Sequence, residues 1–176
     1  MRRQPLSRYA LSVLMGLVSG VLILWTTMGG VHAKSPDGVL PAGGLRVVKA
    51  DAPDSIVQLS PDELNALPHT QVKTSTAVTD GVIAFEGVLI RDLLEALDMS
   101  PEHITATALN DYEIDIPSSD FESFDVLLAW IADGRRLERD DKGPFWVIYP
   151  RDQHLKFQDI RYDYRWVWQL YQLTVH

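Results

Sequence analysis

Three acidic side chains, Asp111, Glu113 and Asp115, alternate along one short segment, with Tyr112 between the first two. A period of two puts the carboxylates on one face of a strand, where they could take a cation or form a solvated edge. Arg151 and Arg165 could reach an anionic substituent or pair with surface acids. Arg135, Arg136 and Arg139 with Asp140 and Asp141 read as a solvated charge cluster. Metal and nucleophile chemistry find little support. The chain has no cysteine, and His69, His103, His154 and His176 do not fall at metal-ligand spacing. No Gly-x-Ser-x-Gly occurs, and Gly43-Gly44 lacks the lysine and helix of a phosphate loop.

The elements that must position these groups are short. Val47-Val48 and Ile56–Leu59 read as strands. Ser60-Pro61-Asp62-Glu63 starts a helix, with Ser60 as cap, Pro61 in the first helical position and Glu63 closing a capping box. The β-branched run Thr74–Thr79 leads through Asp80-Gly81 into Val82–Glu86 as a hairpin. Gly87-Val88 opens a helix whose apolar stripe runs from Ile90 to Met99. Thr105–Leu109 and Glu113–Ile116 are strands across a turn at Asn110-Asp111. Phe124–Ala132 reads as a compact buried helix stopped by Asp133-Gly134. Phe145–Tyr149 is the clearest buried strand. Arg165–Val175 is a long final strand, with Trp166, Trp168 and Leu170 on one face. Short strands mixed with three or four short helices give an α+β domain with a mixed sheet.

Residues 1–33 read as a separate secretory signal peptide. Arg2, Arg3 and Arg8 precede an apolar run from Leu11 to Trp25, and Val31-His32-Ala33 offers a small-residue cleavage pattern. An uncleaved anchor is the rival reading. A flexible lead-in follows over 34–44, then a domain over 45–176. Removing 33 of the 176 residues leaves 143, enough for one core. All 24 acidic side chains and all but three of the 16 basic ones remain, a formal charge of −11. Such a surface repels phosphate backbones, which argues against nucleic acid as a partner. The expected location is periplasmic or secreted.

The order of several segments carries a resemblance. Phe85-Glu86-Gly87-Val88-Leu89-Ile90-Arg91-Asp92-Leu93-Leu94, then Asp111–Pro117, Leu127–Trp130, Asp133-Gly134 and Lys142-Gly143-Pro144, together resemble the molybdopterin-binding domain of the sulfite oxidase family. The match covers roughly Val57 to Val175 and implies a single domain of that fold. The enzymes hold molybdenum through a cysteine upstream of the Gly-Val segment. Here the matching stretch, Thr74–Thr79, offers only hydroxyls, which do not replace a soft thiolate. The enzymes' active-site tyrosine corresponds to Tyr112. Lys142 stands where they have a histidine before Gly-Pro, and Trp146 where they have an arginine after it.

In size, leader and missing cysteine the chain resembles small exported members of this fold that bind free pterins and regulate membrane-bound enzymes of cyclic di-GMP. The resemblance therefore implies a non-catalytic periplasmic pterin receptor, with no redox cofactor and a membrane signalling protein as partner. A flat pterin wants an aromatic or guanidinium face and carboxylates to read its edge. Tyr112, Trp146, Asp111, Asp115, Lys142, Arg151 and Arg165 are the expected ligand residues. Trp130, Trp166 and Trp168 could stack too, or simply fill the core, and Asp133 could add a further acceptor. Two other readings stay open: a molybdopterin-dependent oxidoreductase or its accessory subunit, and a protein-interaction module whose pocket is filled by its own tryptophans.

Overall fold

The computed structural model describes residues 44–176; the expected signal peptide and nearly all of the lead-in lie outside these residues. Within them, ten strands and three short helices form two five-stranded sheets. The first sheet runs β2 (Ala52–Leu59), β1 (Leu45–Lys49), β10 (Leu170–Val175), β5 (His103–Ala108), β6 (Glu113–Pro117). The last strand of the chain thus lies at the centre of this sheet, parallel to β1 and antiparallel to β5. The second sheet runs β3 (His69–Thr74), β4 (Ile83–Leu89), β7 (Leu127–Ala132), and β7 also pairs with β8 (Arg135–Arg136) and β9 (Trp146–Ile148). A bridge between Phe145 and Leu170 links the chain leading into β9 to the start of β10. One contiguous apolar core takes side chains from both sheets, with Phe85, Trp146, Tyr149, Phe145 and Phe157 among its largest members.

Local chemistry explains the elements. Helix α1 (Pro61–Asn65) carries the expected capping box: Ser60 Oγ accepts from the Glu63 backbone N–H, and Glu63 accepts from the Ser60 backbone N–H. Helix α2 spans Ile90–Ala96 and buries Ile90, Leu93 and Leu94. It starts later than expected, because Gly87 and Val88 belong to β4. Gly87 serves a close approach instead: a Cβ built there would lie 2.0 Å from Leu128 O across the sheet, beside a register shift between Glu86 and Gly87.

Four expectations are corrected. Residues 127–132 form strand β7, not a helix; this apolar run pairs on both edges, and Leu127 to Trp130 are all buried. Asp133-Gly134 then makes a tight hairpin turn, with φ of 47° and 72°, instead of ending a helix. The final strand begins only at Leu170, after two 3₁₀ turns over Leu155–Gln158 and Ile160–Arg165. The strand before the first hairpin likewise ends at Thr74, and residues 75–82 form its loop. The expected strands at 105–109 and 113–116 match β5 and β6. Their register sets Thr105 opposite Asp115 and Thr107 opposite Glu113, and each threonine hydroxyl donates to the facing carboxylate.

Replacing Gly87 by alanine forces a Cβ into the β7 backbone, where no flexible side chain can yield. Gly87→Ala is expected to destabilise the fold by about 2 kcal/mol, in the range of overpacked cores, read as a lower urea midpoint with an unchanged slope. A midpoint equal to wild type would contradict the strand geometry.

Candidate functional site

The hub on which the site rests is Asp120, in helix α3 (Ser118–Ser123) and only 5% exposed. Its carboxylate accepts from the Tyr149 hydroxyl at 2.9 Å and from the Arg165 guanidinium, and Lys156 Nζ stands 4.0 Å away. Burial, then the charge of Asp120 and its hydrogen bond, push the Tyr149 hydroxyl far above its ordinary value. Burial works against the Arg165 charge, but Asp120 and Tyr149 outweigh it and raise its pKa. Lys156 Nζ lies 3.6 Å over the Phe124 ring and 4.7 Å over Phe157. These contacts bind the 3₁₀ segment 155–165 to the body of the domain.

That segment supplies one wall of a cavity of about 240 Å³, lined by Ala108, Asn110, Tyr112, Asp163, Tyr164, Trp166, Val167 and Trp168. The other wall is the turn between β5 and β6. Asp111 takes φ 63° there, and the Asn110 side chain accepts from the Tyr112 N–H. The Tyr112 hydroxyl donates to Tyr164 O at 3.0 Å, joining the two walls. Burial first, then the neighbouring Tyr164, raise the Tyr112 pKa. Trp168 is 41% exposed, and its ring meets Trp146 edge-on at 6.3 Å. Two polar atoms of the lining residues are buried without a hydrogen-bond partner, Asp163 Oδ1 and Trp166 Nε1.

Of the seven residues expected to bind ligand, only Tyr112 lines this cavity. Trp146 is 1% exposed, packed edge-on against Phe85 and Trp168, so it has no open face to stack on. Trp130 is likewise buried. Asp111 shapes the turn but does not line the cavity, and Asp115 is held by Thr105. Lys142 pairs with Asp141 and sits 5.8 Å over the Trp146 ring. Arg151 donates to Ser75 Oγ, and Arg165 is committed to Asp120. Asp133 accepts from the Ala84 N–H, a strand-end role. Sequence reasoning missed Asp163, Asn110 and Tyr164. Asp163 stands among charged residues that look like surface, and nothing in its spacing sets it apart.

The hydroxyl stretch 74–79 is elsewhere and fully engaged. Thr74 Oγ1 accepts from the Asp152 N–H and Ser75 donates to Asp152 at 2.7 Å, while Thr76 and Thr79 bond to each other. This donor set does not fit a thiolate-bound molybdenum. Among the described residues, no three His, Cys, Asp or Glu side chains group as metal ligands.

The oxidoreductase molybdopterin binding domain family matches residues 58–155. The crystal structure of the sulfane dehydrogenase SoxCD from Paracoccus pantotrophus superposes with a TM-score of 0.56 at 16% identity. The match covers 76% of this chain and 38% of that one, so the likeness concerns the fold, and this chain spans well under half of that protein. Comparison with curated proteins gives no sequence match.

Because the Tyr149 pKa is raised in the folded state, the stability it contributes is complete below the ordinary value near 10 and is lost as pH rises above it. Wild-type stability should fall from about pH 10 upward, and Tyr149→Phe should flatten that decline. Breaking the buried pair by Asp120→Ala should cost about 3 kcal/mol in denaturant unfolding. Equal slopes above pH 10 in both proteins would contradict the role given to Tyr149.

Proposed function

Because the chain belongs to the oxidoreductase molybdopterin binding domain family, we propose that it is a non-catalytic binding protein for a pterin-type ring, held in the cavity between Tyr112 and Trp168. The observation that carries this reading is the cavity itself. It is small, half of its lining residues are aromatic, and it includes the tyrosine singled out by the resemblance. Its volume lies below the roughly 300–1,000 Å³ of drug-sized sites, which suits a single bicyclic heterocycle. Tyr112 and Trp168 are each about 40% exposed and so keep ring surface for stacking.

Binding without chemistry acts by population shift. A ligand that joins the β5–β6 turn to the 3₁₀ segment favours whichever surface conformation that junction allows. Export through the leader and regulation of a membrane-bound cyclic di-GMP enzyme complete the proposal. They rest on the sequence resemblance, and a complex of the exported protein with the periplasmic part of such an enzyme, formed only with pterin, is their test.

A second reading is favoured by the family match: an oxidoreductase domain, or an accessory subunit of one, that uses molybdopterin. Against it stands the donor set at residues 74–79, whose hydroxyls are already bonded within the protein. We derive no catalytic step through that group.

Titration with free pterin, followed by tryptophan fluorescence, tests the main reading. Trp168→Ala should weaken binding about tenfold, within the ~1–3 kcal/mol of base–aromatic stacking, with the circular dichroism spectrum and unfolding midpoint retained. Unchanged affinity in Trp168→Ala and Tyr112→Ala alike would remove the cavity from the function.

A further inference from the structure

Asp163 is the only charged residue in the cavity lining. The nearest cations along the chain face other carboxylates: Arg165 pairs with Asp120, Arg161 with Asp159, and Lys156 Nζ stands 4.0 Å from Asp120. A ligand in the cavity therefore meets one carboxylate and no opposing positive group. Such a site repels phosphate and welcomes N–H donors. Asp163 Oδ1 lacks a hydrogen-bond partner and is sealed from the open space of the cavity as the side chain stands, as is Trp166 Nε1. Leaving a carboxylate oxygen buried and unsatisfied is costly. A carboxylate turns easily about its last torsion, so either oxygen can be brought to the ligand.

We infer that Asp163 sets the specificity of the cavity: it selects an unphosphorylated heterocycle carrying a 2-amino-4-oxo pyrimidine edge. Asp163 accepts from the ring's amino and N–H groups. Tyr112 and Trp168 hold the faces of the ring, and the carboxylate turns away ligands with a phosphate ester. This inference rests on the pterin-binding reading and assigns the residue that chooses among ligands of that class. The cavity thereby departs from what molybdopterin, itself a phosphate ester, would need.

The test uses the exported protein, with affinities measured by calorimetry for pterin, lumazine, guanine, and 6-hydroxymethylpterin with and without its phosphate. Lumazine replaces the 2-amino group by oxygen and so sets a carbonyl against Asp163. Wild type should prefer pterin over lumazine, and hydroxymethylpterin over its phosphate, each by about tenfold or more, the effect of one good polar contact. Asp163→Asn supplies an amide donor and removes the charge. It should weaken pterin, strengthen lumazine and shrink the phosphate penalty. Trp166→Phe keeps the packing and removes only an N–H sealed from the cavity, so it should leave both ratios as in wild type. Equal binding of pterin and lumazine, tighter binding of the phosphate, or unchanged ratios in Asp163→Asn would overturn the inference while leaving the pterin reading intact. Guanine carries the same edge on a smaller bicycle, and tighter binding of guanine than of pterin would overturn the pterin assignment. Failure of every ligand to bind folded protein would sink the pterin reading itself.

Discussion

The buried carboxylate of Asp120 connects most of what makes this domain a site as well as a fold. It faces the Tyr149 hydroxyl just beyond β9, the Arg165 guanidinium at the end of the second 3₁₀ turn, and the Lys156 ammonium at the start of the first. Taking a carboxylate out of water is expensive, and the cost is offset only while these partners stay in place. The same bonds therefore decide where segment 155–165 lies. That segment leads directly into Asp163, Tyr164 and Trp166, so the cavity inherits its shape from a charge network that does not line it. Aromatic packing supports the network, since Phe157 contacts Tyr149, Phe124, His154 and Tyr162.

A second constraint is the position of the last strand. With β10 between β1 and β5, the segment just before it must pass close to the β5–β6 turn. Leu109 N–H donates to Gln169 O, and Gln169 N–H to Lys142 O, which draws three parts of the chain together beside the cavity. Trp168 and Tyr112 meet there because of strand order, although 56 residues separate them in sequence. The loop holding Thr74 and Ser75 is tied separately, by Asp152 and Arg151. Hydrogen bonds from its hydroxyl and backbone groups to one carboxylate, with Arg151 beside them, form that tie.

Much of the fold was legible because its signals are local. The capping box at Ser60–Glu63 names its own hydrogen bonds, and the alternation in Glu113–Ile116 fixes a strand and its faces. Leu127–Ala132 misled because a short continuous apolar run has no period, and only its pairing with β4 and β9 makes it a strand. The end of the chain misled for the opposite reason. Trp166, Trp168 and Leu170 do alternate, yet Trp166 is buried and Trp168 is 41% exposed, because they sit in an irregular connection. For the site, Tyr112 was within reach through the resemblance. Asp163 was not, since its role depends on Asp120 anchoring a segment 45 residues away from it. Trp146, Arg151 and Arg165 do not line this cavity: Trp146 is packed in the core, Arg151 donates to Ser75 and Arg165 pairs with Asp120, although Trp146 Nε1 and Arg151 Nε keep no partner.

The central claim is that a pterin ring occupies the cavity formed by the β5–β6 turn and residues 163–168. A crystal structure of the protein grown with saturating free pterin tests it most directly. The account predicts ring density between Tyr112 and Trp168, its amino edge toward Asp163, with no metal beside it. Density beside Thr74–Thr76 instead, or a cavity without ligand at saturation, would contradict it.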